Sequence, residues 1–460
     1  MTGRLADELA RVAERAPVVE VPPDTWARAR RSRSRDRVLV VAAVAAVLAL
    51  VGGVALLPRL DPSVPVADGS GGSGVPAVPS QVWGVPERLT QQREDGSWSS
   101  DRVESDLAIG RGAVAFVTPA GLPVVVGADD GAYHLLDLPG FLGNAALTRG
   151  QTVGLTLSPD GRQLAYGWSG PVPDSDATPM PSGVRVLDLD TGDVRTIALS
   201  GGRGIQVDRL TWSPGSSWLV WQGRVATYWT GMSSTYRSEA AGRIAPGAAT
   251  SVEVPTDNQE AVTAVDDDGV VSRLTTRRVT TWDGRPLSSR RVRGVQPVAA
   301  AAVQPSGGLA VVGTEFGTEG ITSVDVATGD TVTHRYLAGL YPAGADNVPL
   351  GWIDDDLLVA LVTPETAPDE SGVPARQVVV TTPRRSATST YRIVARVDQA
   401  VPDSLSVAVD LMTLARPTVE RPEPDWPWSD ERLSLTIGLG VAGVLSVLWG
   451  IRQLWRRRAL

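Results

Sequence analysis

The sequence predicts a mainly β protein, a β-propeller of repeated four-stranded units displayed between two membrane-spanning helices. Three observations predict it. Short apolar runs broken by Asp- and Gly-rich turns recur about every 40 to 55 residues through the middle of the chain. Two uncharged apolar runs flank that middle, each with arginines on its outer side. The 460 residues include no cysteine, so a core between the runs must rest on apolar packing rather than disulfides.

Residues 1–37 come first. Leu5, Leu9, Val12 and Ala16 recur at helical spacing, and Pro17 ends the pattern. A helix of about 13 residues is marginal alone in water, so this one needs a partner or a membrane surface. Trp26 to Arg37 (WARARRSRSRDR) is the most basic stretch. It reads as a topogenic, anionic-lipid contact, with nucleic-acid or partner binding as the alternative. Val38 to Leu57 (38–57) carries no charge over twenty residues, enough to cross a hydrocarbon core of about 30 Å. The run exceeds a signal-peptide h-region, and no small-x-small site precedes Pro58, which favours an uncleaved anchor over a cleaved signal.

Residues 58–80, ending DPSVPVADGSGGSGVPAVPS, read as a flexible linker, 81–414 as the β region, and 415–432 as a second, Pro-rich linker. Leu433 to Ile451 (433–451) is the second expected span, with Trp428 and Trp449 near its ends and glycines that permit close packing. A basic tail, 452–460, follows. Positive charge stays on the cytoplasmic side of a span. Both termini are therefore expected in the cytoplasm, the β region outside, and the protein in the cell membrane with the lipid bilayer as its first partner. Of the formal charge of −8, residues 1–37 hold +3 and 452–460 hold +4, leaving −15 between them. An acidic middle argues against nucleic acid as its partner.

The β units justify the ring. Leu157 to Trp168 reads LSPDGRQLAYGW and Val184 to Leu199 reads VRVLDLDTGDVRTIAL. The pair returns as Val303 to Gly313 (VQPSGGLAVVG) and Ile321 to Leu337 (ITSVDVATGDTVTHRYL). Weaker copies are Leu107 to Asp137, Leu210 to Gln222, Val262 to Arg273 and Leu350 to Val362. Asp-Gly and Gly-Asp corners suit hairpins because they accept positive φ. Four strands per unit at this period is the mark of a β-propeller, here of six blades, with seven the alternative. Gln81 to Leu89 and Ser404 to Met412 are each placed to supply a closing strand.

The SPDG-x-x-LAY unit followed by VLDLDTGD resembles the repeats of TolB-like and WD-repeat-like propellers. Only Trp282-Asp283 matches the Trp-Asp pair of the narrower WD-repeat family. All 43 basic residues are arginine, and with abundant Ala, Gly, Val and Pro the chain looks like the product of a GC-rich actinobacterial genome. The layout also resembles actinobacterial membrane proteins that accompany extracytoplasmic-function sigma factors. That resemblance implies a cytoplasmic partner for residues 1–37, although the segment is short and lacks a His/Cys zinc motif.

Few residues are candidates for chemistry. Asp266-Asp267-Asp268-Gly269 and Asp354-Asp355-Asp356 could hold a hard cation, but they lack the alternating ligand spacing of a calcium loop and fall at repeat turns. Ser158 and Ser213 precede Pro without a G-x-S-x-G elbow and read as turn starters. His134 and His334 fall on strand segments and read as structural. Trp168, Trp212, Trp218, Trp221 and Trp229 are either packing between blades or an exposed binding patch. No catalytic, cofactor-binding or metal residue is assigned, and no cofactor. The expected function is non-catalytic binding or scaffolding at the cell envelope, toward an extracytoplasmic protein or glycan. The alternatives are a transmembrane regulator acting through residues 1–37 and a propeller hydrolase.

Overall fold

The computed structural model describes residues 75–426, apart from 94–96, 142–153, 171–179, 203, 231–232, 257–260, 294, 296–297, 315–320, 335–346, 363–375, 384–390, 399–400 and 402–403, together with Gly438, Ala442, Gly443, Leu445, Ser446, Leu448, Trp449, Gly450 and Arg452. The chain divides into two units, Pro65–Pro427 and a second formed by Met1–Val64 with Trp428–Leu460. In the second unit the described residues are helical, and Ser446 Oγ donates to the Ala442 carbonyl at 2.7 Å. Among the described residues no helix is long and apolar enough to cross a membrane. The segment 1–37, the run 38–57 and most of 433–451 lie outside the described residues.

The first unit is a six-bladed β-propeller. Two short strands, β1 (Gln81–Val82) and β2 (Val103–Glu104), precede β3 (Gly112–Val117), β4 (Pro123–Gly127) and β5 (Tyr133–Leu136). Blade 2 is β6 (Leu155–Leu157), β7 (Gln163–Ser169), β8 (Ser182–Asp188) and β9 (Val194–Ala198). Blade 3 is β10 (Ile205–Trp212), β11 (Leu219–Thr230), β12 (Ser233–Ile244) and β13 (Val252–Glu253). Blade 4 is β14 (Ala261–Val265), β15 (Val271–Thr275), β16 (Arg278–Trp282) and β17 (Pro286–Arg291). Blade 5 is β18 (Val298–Val303), β19 (Leu309–Thr314), β20 (Thr322–Asp325) and β21 (Thr331–Thr333). Blade 6 begins β22 (Val348–Trp352), β23 (Leu358–Val362), β24 (Arg376–Thr381) and β25 (Tyr391–Val397), and β26 (Ser406–Val407) follows.

Closure uses both ends of the ring. β26 returns to pair antiparallel with β3 as the innermost strand of blade 1, whose order is β26-β3-β4-β5-β2. β1 adds in parallel to the outer edge of blade 6, giving β22-β23-β24-β25-β1. The two closing segments expected from the sequence therefore each supply a strand. The inner strands β26, β6, β10, β14, β18 and β22 touch in cyclic order. That settles six blades over seven.

Each apolar cluster fills one gap between neighbouring blades. Val114 and Phe116 face blade 6, while Ala115 and Val117, one residue out of phase, face blade 2. Successive side chains of a strand point to opposite faces, so a strand sandwiched on both sides is apolar throughout. This is why β3 reads GAVAFV and is buried at every position. Fully burying each Val, Leu or Phe contributes roughly 1.5–3 kcal/mol.

The repeated turn sequences make repeated bonds. Asp188 Oδ1 accepts from the Asp190 and Thr191 amides, and Thr191 Oγ1 donates to Asp193 at 3.0 Å. In blade 5, Asp325 Oδ1 accepts from Ala327 and Thr328, and Thr328 Oγ1 donates to Asp330 at 2.9 Å. Gly192 and Gly329 take φ of 79° and 80°, the left-handed conformation that completes each corner.

Candidate functional site

Among the described residues, hydrogen bonds between the turns after the innermost strands link blades 1 to 2, 2 to 3, 3 to 4 and 5 to 6. In blade 2, Ser158 Oγ accepts the Gln163 amide at 2.9 Å and donates to Asp160 at 2.6 Å. In blade 3, Ser213 Oγ accepts the Trp218 amide at 3.2 Å. Both serines therefore start turns. The Asp160 amide donates to Ser216 Oγ at 3.0 Å, and the Gly215 amide donates to Asp267 Oδ1 at 2.5 Å. The Ser306 amide donates to Asp355 Oδ1 at 3.1 Å. The Asp410 amide, just after β26, donates to the Pro159 carbonyl at 3.0 Å.

The acidic clusters are spent inside these turns. Asp266 Oδ1 accepts from Asp268 and Val270, and Asp354 Oδ1 accepts from Asp356 and Leu357. Burial pushes the Asp266 carboxyl up, against the pull of those two amides. Asp410 is raised to about 6, chiefly by burial and then by the nearby Asp160 and Asp267, with Arg111 opposing. Among the described residues no three His, Cys, Asp or Glu side chains are grouped to hold a metal.

The histidines are far apart in role. His134 Nδ1 lies 3.0 Å from Glu104, pairing β5 with β2. His334 is wholly buried, with Nε2 2.5 Å from Ser323 Oγ. Of the tryptophans, Trp221 is fully buried and Trp212 nearly so, both between blades 2 and 3. Trp218 and Trp282 sandwich the Arg243 guanidinium at 4.6 and 5.0 Å across blades 3 and 4. Trp168 carries Arg185 at 4.4 Å. Trp212, Trp218 and Trp221 thus pack between blades, whereas the Trp168–Arg185 stack lies within blade 2; the side chain of Trp229 lies outside the described residues.

The chain enters and leaves the ring at one seam, between blades 6 and 1. The Ser80 amide donates to the Val419 carbonyl at 2.8 Å, and the Val419 amide to Val78 at 2.9 Å. The Ala128 carbonyl accepts both the Ala77 amide and Arg421 Nη2, each at 3.1 Å. Trp426 meets Tyr133 edge-on at 5.4 Å, and the Tyr133 hydroxyl accepts the Trp83 amide. Residues 77–80 and 416–426, read from composition as linker, are thus packed against the ring.

One feature left no signal in the repeat pattern. From Gly269 to Thr314 the chain holds seven arginines and one acid. The strand register gathers most of them on the outer edge of blade 4, where Arg278 stands directly opposite Arg291.

No family model matches the chain, and no curated protein matches it. Solved structures do resemble it. A TolB-designated protein from Agrobacterium tumefaciens is 12% identical with a TM-score of 0.37, covering 62% of this chain and 89% of that one. A protein assigned as a 6-phosphogluconolactonase from Bacteroides uniformis is 11% identical with a TM-score of 0.36, covering 70% and 87%. A prolyl endopeptidase structure is 14% identical with a TM-score of 0.36, covering 66% of this chain and 40% of that one. At these values the likeness is one of propeller architecture and carries no chemistry across.

Proposed function

We propose that this chain is a membrane-tethered β-propeller that binds or scaffolds a partner at the extracytoplasmic face of the cell membrane, with both termini in the cytoplasm. The observation that carries the reading is the seam. Both ends of the ring bind the same carbonyl, that of Ala128, so both leave at one place. Exits at one place suit a domain held by two flanking membrane anchors. The two apolar runs, with arginines outside each, supply the anchors in this reading. The propeller supplies rigid loop surfaces for recognition, and the reading assigns it no catalytic step.

Protease treatment of intact protoplasts tests the topology. Cleavage within residues 75–426 with both tails protected is the expected result. Loss of the tails with the middle intact would overturn it.

A further inference from the structure

We infer that the outer edge of blade 4 binds a phosphate-bearing polyanionic polymer. β17 is the outermost strand of its sheet, its end held against blade 5 where Arg290 Nε donates to the Ala327 carbonyl and Thr331 Oγ1 to the Arg293 carbonyl, and Arg278 on β16 is the direct cross-strand partner of Arg291. Their side chains share one face, with Cβ atoms roughly 5 Å apart. Arg277 and Arg293 continue the patch at the same end, where the Val292 amide bonds the Arg277 carbonyl at 2.9 Å. All four are exposed. No ion pair among the described residues involves any of them.

Like charges directly opposite one another destabilise a sheet. A local rule broken without compensation is expected at a functional or a strained site. The residues between the spans sum to −15, so this edge stands out against an acidic background. Guanidinium forks match phosphate oxygens bidentately, and a row of them suits a repeating anion rather than a single one.

The position and the neighbours narrow the partner. Arg278 lies on the same face of β16 as Trp282, which packs against Val220 and Ala241 of blade 3. In a six-membered ring the blade 3–4 boundary is opposite the 6–1 seam where the chain leaves. Thr280 and Ser289 share the face, and among the described side chains no exposed aromatic stands beside them to stack a nucleic-acid base. The inference rests on the envelope reading above only for where the polymer would be met.

The test uses the full chain in detergent micelles and labelled linear polyphosphate, titrated by anisotropy at several salt concentrations. Wild type should bind. The double variant Arg278→Gln/Arg291→Gln should lose about tenfold or more in affinity and flatten the log-log salt slope by about 1.5, nearly one unit per lost phosphate contact. Its melting temperature should hold or rise, because the opposed charges are gone, so lost binding is not unfolding. Arg162→Gln, an exposed arginine already paired with Asp190 at 3.0 Å, should bind as wild type. Failure of wild type to bind, equal affinity of the double variant, or equal loss in Arg162→Gln would overturn the inference. So would preference for phosphatidylglycerol vesicles or single-stranded DNA over polyphosphate. A negative result here leaves the protoplast topology untouched, and a failed topology leaves the binding measurement standing.

Discussion

Replacing His334 with glutamine should remove about 2 kcal/mol of acid destabilisation between pH 7 and pH 5. His334 is wholly buried against Ser323, and burial lowers its pKa from 6.5 to about 4. In the unfolded chain the imidazole protonates below about pH 6.5, whereas in the folded ring it stays neutral until about pH 4. Between those values the unfolded state holds a proton that the folded state lacks, so acidification favours unfolding. The contribution is fully present above pH 6.5 and is lost as pH falls toward 4. One pKa unit is worth about 1.4 kcal/mol, so the whole shift is worth about 3 kcal/mol, and about 2 of that is lost by pH 5. Asp410 acts in the opposite sense. Its folded pKa of about 6 means that the folded state takes up a proton first, which favours folding as pH falls. The informative quantity is therefore the difference between wild type and His334→Gln, in which Asp410 cancels. Urea unfolding of both proteins at the two pH values measures it. Equal pH dependence in the two proteins, or a His334 ring resonance titrating near 6.5, would refute the reasoning.

Two further substitutions probe the ring. Gly161→Ala should cost about 2–4 kcal/mol, because Gly161 takes a φ of 74° and an added Cβ would strike the Gly112 carbonyl of blade 1; calorimetric melting reads the loss, and a neutral result would contradict the described turn. Trp221→Ala should cost about 3–5 kcal/mol by emptying the gap between blades 2 and 3, whereas Trp221→Phe should cost about 1–2 kcal/mol, since the buried indole N–H has no hydrogen-bond partner among the described residues; denaturant midpoints distinguish the two.

The turns were legible because each is closed locally. Ser158, Asp160 and Gly161 lie within a few residues of their partners, as do Asp188, Thr191 and Asp193. The strands were legible with more difficulty. Alternation marks strands with one wet face, and central strands such as β3 have none. The linkers misled at their inner ends. Pro- and Gly-rich composition says that a segment forms no regular element of its own, not that it stays in water. Val78, Val419 and Trp426 use backbone and aromatic contacts supplied by the other end of the chain.

The arginine edge of blade 4 was hidden for a different reason. Arg278 and Arg291 are thirteen positions apart, and only the antiparallel register of β16 and β17 sets them opposite each other. The acids around Asp410 come from blade 2, blade 4 and the closing strand, so no sequence window contains them together.

The sequence by itself determined the repeat, its turn chemistry, the apolar flanks and the strands available for closure, because all of these depend on contacts within a hairpin or on composition. Only the tertiary structure decided that the blades number six, that each strand face belongs to a particular neighbour, that both chain ends share one seam, and that Arg278 and Arg291 stand opposite each other at the outer edge of blade 4. Those are consequences of register and closure, which bring residues together across long stretches of chain where local periodicity carries no information.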